Sequence, residues 1–194
     1  VEQWVKNLFV FAPLFFSGYI AVPTLFYKSV FAFIIFSITA SSIYIINDYF
    51  DIESDKKHPE KKNRPLASGA ISKTSAKVLF GFLVALSIGL IFLGSYIFET
   101  NYWKFGIIIA TYFVMNIFYT FKLKHVAIVD ICIIASGFVL RILAGGYAAD
   151  IQTTQWAILL TVVLALGLAI GKRRGELINA QISGKTRKSL DGYN

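Results

Sequence analysis

The chain has 194 residues, of which 56% are hydrophobic, 16% aromatic and only 15% charged, with a formal net charge of +8. A soluble domain averages about 25% charged residues, so a soluble globular domain, a disordered chain and a disulfide scaffold are all excluded. One cysteine, Cys132, and two histidines, His58 and His125, are too few for a Cys/His zinc site, which takes about four ligands.

Six apolar segments follow in chain order, at 8–22, 24–46, 78–98, 103–121, 126–148 and 155–170. The second is about 34 Å long as a helix, enough to cross a hydrocarbon core of about 30 Å with some tilt. The first is short and interrupted by Pro13, which marks a kinked span or a re-entrant piece. It lacks the charged head and small-residue cleavage site of a signal peptide. Val1 at the head and a polar tail suggest part of a longer membrane protein.

Charge placement sets the expected topology. If all six segments cross, 16 of the 19 Lys and Arg fall on one side, Lys28 and Lys104 fall on the other, and Arg141 lies within a span. That is the positive-inside pattern, so the rich side is expected to face the cytoplasm. The net charge then calls for no nucleic acid. A topology with one span fewer would scatter these charges, which favours counting the first segment as a crossing. The expected fold is an all-α, polytopic transmembrane helix bundle forming a single domain over 1–194.

The most informative stretch, Asn47 to Asp55, lies at the end of the second segment. At about 100° per residue, Asp48, Asp51 and Asp55 fall within about 60° of one another on a helix, while Glu53 points elsewhere. Three like charges on one face repel, and a membrane boundary hydrates them poorly. A cation should compensate them. Mg²⁺ prefers carboxylate oxygens and commonly shares them with substrate phosphates. The plainer reading is a solvated acidic face neutralised by Lys56, Lys57, Lys61, Lys62 and Arg64; charge at membrane depth favours the functional one. Lys62 and Arg64 are candidates to grip phosphate oxygens, Arg64 bidentately, whereas Lys56 and Lys57 read as loop charge.

A second constellation ends the sixth segment, where Glu176 sits one helical turn from Arg173 and Lys172. One carboxylate among three cations suits a diphosphate or sugar-phosphate subsite, with simple topology charge as the even alternative. Asp130, one turn inside the fifth segment and near Lys122 and Lys124, either positions a cationic ligand or accepts an ion pair. Arg141 lies deeper and either faces the bundle interior or snorkels. Gly145-Gly146 suits close helix packing. His58 alone in a loop reads as incidental. No phosphate loop of the Walker type, GxSxG elbow or HExxH is present.

Asn47, Asp48, Asp51 and Asp55 reproduce the NDxxDxxxD signature of the UbiA-type intramembrane prenyltransferases, and the chain resembles that family. It further resembles the branch that transfers phosphoribose to a decaprenyl-type phosphate. Gln3-Trp4-Val5-Lys6-Asn7, Asp51 through Arg64-Pro65, Leu123-Lys124-His125, Ser136 through Arg141, Gly171-Lys172-Arg173 and Arg187-Lys188-Ser189-Leu190 carry that likeness. The family fold has nine helices around a lipid-open cavity, so about six, the N-terminal two-thirds, are expected here. Where other members carry a second Asp-rich motif, this sequence has Lys172, Arg173 and Glu176.

The resemblance implies a transferase that uses phosphoribosyl diphosphate, a polyprenyl phosphate and Mg²⁺ at a plasma membrane, in cell-wall biosynthesis. Asp48, Asp51 and Asp55 would be catalytic and hold the metal on the diphosphate. Asn47, Lys62, Arg64, Lys124, Asp130, Lys172, Arg173 and Glu176 would bind substrate. The alternative within the family is prenyl transfer from a prenyl diphosphate to an aromatic or quinone-precursor acceptor. An alternative of another class is a non-enzymatic membrane carrier or assembly subunit.

Overall fold

A computed structural model describes residues 2–57, 61–98, 102–121, 123 and 126–183. The first stretch, Glu2–Phe11, winds as a 3₁₀ helix and passes into α1, Ala12–Phe16. A short turn, Tyr19–Ala21, leads to α2, Pro23–Lys56. Then come α3, Lys73–Ile97, α4, Trp103–Phe121, α5, Ala127–Ala149, and α6, Gln155–Ser183. No strand occurs among the described residues.

Local chemistry accounts for the boundaries. Pro23 opens α2, where its missing N–H costs nothing and its fixed φ suits a helix. Ser72 caps α3 by accepting a 3.0 Å hydrogen bond from the Ser75 N–H. Asp150 ends α5 in the left-handed region at φ 57°, and the Ile151 N–H returns to the Gly146 carbonyl at 2.8 Å.

Five helices, α2 to α6, have the length and apolarity to cross a membrane, and the chain is a multi-pass membrane protein. The expected sixth crossing, at 8–22, is different. Its helical part runs only to Phe16, and Gly18 at φ 77° breaks it before α2 begins. As a short apolar helix, Trp4–Phe16, it falls outside the set of spanning length. It lies antiparallel along α2. Trp4 donates to Ser41 Oγ at 3.1 Å, Asn7 to Ser37 Oγ at 3.0 Å, and the Phe11 ring meets Phe33 and Phe26.

α2 is the axis of the bundle, packed by α3, α4, α5 and the first stretch. Its 34 residues make a helix about 51 Å long, against a hydrocarbon core of about 30 Å. The turns carrying Asp48 to Lys56 therefore stand at one end of the bundle. The core joins Ile35 and Phe36 of α2 to Phe105 and Ile109 of α4 and Ala144 of α5. Phe36 and Tyr112 pack at a tilt with ring centroids 4.5 Å apart. Gly145 lets the first stretch press against α5, because a Cβ there would collide with the Val10 carbonyl oxygen. This is the close packing expected of Gly145-Gly146 at the first of the two, whereas a Cβ at Gly146 would meet the Ile151 carbonyl and Thr153 in the turn after α5.

Candidate active site

The acidic end of α2 is built as the helical spacing requires. The loop after α2 forms a short 3₁₀ turn, Lys61–Asn63, and delivers Arg64 back onto the helix. Arg64 Nη1 donates to Asp48 Oδ1 at 2.8 Å and to Asp55 Oδ2 at 2.9 Å. Asp51 and Lys61 stand within electrostatic range of Asp48. The Asp55 side chain is 5% exposed, Asp48 29% and Arg64 35%, so Arg64 seals one carboxylate from water while the other stays reachable. Glu53 points away, as expected, and pairs with Lys56 at 3.1 Å on the exposed face. Lys56, Lys57 and Lys62 are exposed.

Compensation of the acidic face therefore comes from Arg64 in this structure. Among the described residues no three His, Cys, Asp or Glu side chains are arrayed to hold a metal ion. The donor set nonetheless suits Mg²⁺, which commonly takes one or two carboxylates and completes its shell with waters and substrate phosphates. Asp48 and Asp55 already converge on a single positive atom. A metal there would displace Arg64, freeing its planar fork for phosphate oxygens.

The second constellation is knit more tightly. Arg173 Nε and Nη2 both reach Asp130 Oδ2 at 2.5 Å, and Nη1 donates to Glu176 Oε2 at 2.6 Å. Tyr119 of α4 donates to the other Asp130 oxygen at 2.7 Å. Asp130 is fully buried and the Arg173 side chain 8% exposed. Of the two readings open for Asp130, the structure takes the ion pair. Lys172 and Arg174 remain exposed. Phe50 and Phe121 meet at 4.6 Å, tying the acidic end of α2 to the end of α4 that carries Tyr119. His58, Lys122, Lys124, His125 and the 187–190 motif lie outside the described residues.

Arg141 faces the interior. Its Nε donates to Asn7 Oδ1 at 2.9 Å, Nη1 to the Gly137 carbonyl at 2.7 Å, and Nη2 to Tyr112 Oη at 3.1 Å. The rings of Phe36, Tyr112 and Phe138 lie over the guanidinium at 5.2 to 5.4 Å. Sequence reasoning assigned no role to Asn7, Tyr112 or Tyr119. Asn7 carried a usable signal, an amide at the head of an apolar segment, since a buried amide needs partners. The tyrosines carried none, because their partners come from other helices.

An α-helical membrane bundle with three carboxylates at the end of its central helix is the class of architecture that the NDxxDxxxD signature led us to expect. The UbiA prenyltransferase family model matches residues 8–173, and the chain belongs to that family. Its members generally depend on a divalent metal. The chain is 42% identical over 203 residues to a decaprenyl-phosphate phosphoribosyltransferase from Mycolicibacterium smegmatis, covering 99% of this chain and 60% of that protein. A protein of the same name from Corynebacterium glutamicum is 38% identical, with 99% and 57% covered. A 4-hydroxybenzoate octaprenyltransferase from Sodalis glossinidius is 41% identical over 71 residues, 37% of this chain and 24% of that protein. The chain thus spans about three-fifths of the length of the phosphoribosyltransferases it matches.

Proposed function

We propose that the protein transfers the 5-phosphoribosyl group from phosphoribosyl diphosphate to a polyprenyl phosphate and releases diphosphate. The observation that carries this is the convergence of Asp48 and Asp55 on Arg64, a site that suits a diphosphate escorted by a divalent ion. The similarity to phosphoribosyltransferases over 99% of the chain supports the choice of donor and acceptor. The 194 residues act as one transmembrane domain. The acidic end faces the cytoplasm of a plasma-membrane protein, on the side favoured by the Lys and Arg distribution.

Asp48, Asp51 and Asp55 would hold Mg²⁺ on the donor, and Asn47 orients that end of α2. When bound, the metal supplies charge neutralisation for a departing diphosphate. Arg64 turns from its carboxylates to the diphosphate oxygens, and Lys62 adds positive charge at the rim. Lys172 and Glu176, with Lys124, bind the remaining phosphate and ribose groups, and the buried Asp130–Arg173 pair holds α5 to α6 beneath them. The anomeric C1–O bond to diphosphate breaks as a lipid-phosphate oxygen bonds to C1. A phosphate monoester is already anionic near neutral pH, so no side chain has to remove a proton.

The test uses the full-length protein in membranes with labelled phosphoribosyl diphosphate, a polyprenyl phosphate and Mg²⁺. Label should enter the organic phase and vanish with EDTA or in Asp51→Asn. Wild-type, Mg²⁺-dependent turnover by Asp51→Asn would remove the metal role. Transfer of a prenyl group to an aromatic acceptor, with no phosphoribosyl transfer, would replace this reading with the other chemistry of the family.

A further inference from the structure

Arg64 fills the position between Asp48 and Asp55 with a single nitrogen. The two aspartates stand nearly two turns apart on α2, and Nη1 meets Asp48 Oδ1 at 2.8 Å and Asp55 Oδ2 at 2.9 Å. Nε and Nη2 meet no acceptor among the described residues. One nitrogen is thus engaged by the carboxylates while the Nε–Nη2 edge is left over. That edge has the planar geometry that grips a phosphate through two parallel hydrogen bonds.

The partners differ in what can move. Asp48 and Asp55 belong to the helix at the axis of the bundle, and the Asp55 side chain is 5% exposed. Arg64 comes from the loop after α2, with its side chain 35% exposed. Its backbone is pinned on both sides. The Arg64 N–H donates to the Lys61 carbonyl at 3.0 Å, and its carbonyl accepts from the Ser68 N–H at 2.8 Å. A guanidinium that leaves the carboxylates therefore stays tethered within a side chain's length of them.

Charge decides when it leaves. A divalent ion at Asp48 and Asp55 needs the oxygens that Nη1 holds, and two cations on one pair of carboxylates repel. Metal alone has to break the ion pairs and return the guanidinium to water. A diphosphate alone meets the repulsion of Asp48, Asp51 and Asp55. When the two arrive together, the diphosphate takes the guanidinium and the metal takes the carboxylates, so each removes the obstacle to the other.

We infer that Arg64 is a counter-ion latch that couples metal and diphosphate binding: it keeps free divalent cations off Asp48 and Asp55 and releases these carboxylates when a diphosphate accepts the guanidinium. The latch rests on the metal role proposed for the two aspartates, and it serves any diphosphate donor. Such coupling is reciprocal, so the metal raises diphosphate affinity by the same factor as diphosphate raises metal affinity.

Equilibrium binding without turnover tests this. Full-length protein in nanodiscs is titrated with Mn²⁺, a Mg²⁺ surrogate whose electron paramagnetic resonance signal reports the bound fraction, and with the Mn²⁺–methylenediphosphonate complex. Wild type should bind the complex about tenfold more tightly than Mn²⁺ alone, within the range of about 5–150-fold typical of coupled sites. Arg64→Gln should move the two in opposite directions. Mn²⁺ alone should bind about tenfold more tightly and the complex about tenfold more weakly, one charge-assisted contact each way. Arg64→Lys keeps the charge and loses the fork, so it should still resist Mn²⁺ alone and yet bind the complex more weakly; this variant decides the matter if Arg64→Gln does not fold. Affinities that fall together in both variants, or stay at wild-type values, overturn the latch. Complex binding unchanged in Asp48→Asn overturns the metal role beneath it. Opposite shifts in a protein that transfers no phosphoribose would remove the proposed function and leave the latch standing.

Discussion

Asn7 and Arg141, 134 residues apart in the chain, are joined by a buried hydrogen bond of 2.9 Å that bridges the first stretch to α5. The same amide donates to Ser37 Oγ of α2 at 3.0 Å, so one side chain ties three elements together. Asn7→Leu would leave Arg141 Nε and Ser37 without these partners in the interior. A buried group stripped of its partner costs about 1–3 kcal/mol, more when charged. We expect Asn7→Leu to lower the melting midpoint in detergent clearly, while Asn7→Asp retains an acceptor for Arg141 and falls less. Equal melting of Asn7→Leu and wild type would show that the bridge contributes nothing.

Arg64 bridges two carboxylates of the acidic face, so its removal should create a demand for another cation. Arg64→Ala removes the cation that bridges Asp48 and the almost fully buried Asp55 and leaves Lys61 as the more distant positive charge on Asp48. Breaking a buried pair in this way costs about 3–5 kcal/mol, and the partial exposure of Asp48 and Arg64 reduces that figure. The variant should melt early in EDTA and recover with millimolar Mg²⁺, whereas wild type responds less. Arg64→Lys should restore only part of the function, because an ammonium lacks the planar fork. A Mg²⁺ response identical in Arg64→Ala and wild type would separate the metal from these two carboxylates.

Asp130 and Arg173 hold α5 to α6 with both charges buried. Removing one partner alone leaves an uncompensated ion, so Asp130→Asn and Arg173→Gln should each be strongly destabilising, by about 3–5 kcal/mol. The double variant should be much less destabilised than their sum, giving a coupling energy of about 1–3 kcal/mol in a double-mutant cycle. Tyr119→Phe removes one hydrogen bond to Asp130 and should cost about 1 kcal/mol. Additive losses for Asp130 and Arg173 would contradict the pairing.

Gly145 sets the distance between the first stretch and α5. A Cβ at this position runs into the Val10 backbone carbonyl, which cannot rotate aside as a side chain would. Gly145→Val should therefore reduce folded yield sharply, beyond the about 1–3 kcal/mol usual for overpacking. Gly167→Ala, at a helical glycine with open space around its Cβ direction, is the matched control and should fold normally. Similar yields from the two variants would mean that the first stretch can detach at no cost.

Much of the site was legible before any coordinates. The co-facial placement of Asp48, Asp51 and Asp55 follows from a rotation of about 100° per residue, a local property of any α-helix. Glu53 turning away toward Lys56 follows from the same arithmetic. The kink expected of the first segment at Pro13 takes the form of a 3₁₀ stretch passing into a short α-helix that Gly18 ends, a detail that residue counts of apolarity do not record. Arg64 was expected to act on phosphate, and its seat between Asp48 and Asp55 depends on a loop returning across 16 residues, a non-local closure.

By itself the sequence determined the helical class, the five long spans and the acidic face of α2, because hydrophobic run length and helical periodicity act within one segment. The NDxxDxxxD spacing also determined the family. Tertiary structure decided which cation meets which carboxylate. Among the described residues Arg64 and Arg173 each found two acids, and Arg141 found neutral partners instead, since partner choice inside a bundle depends on which helices touch and at what depth. In a poorly hydrated interior those choices carry large energies, and they separate the arginines that pair with acids from the one held by neutral groups.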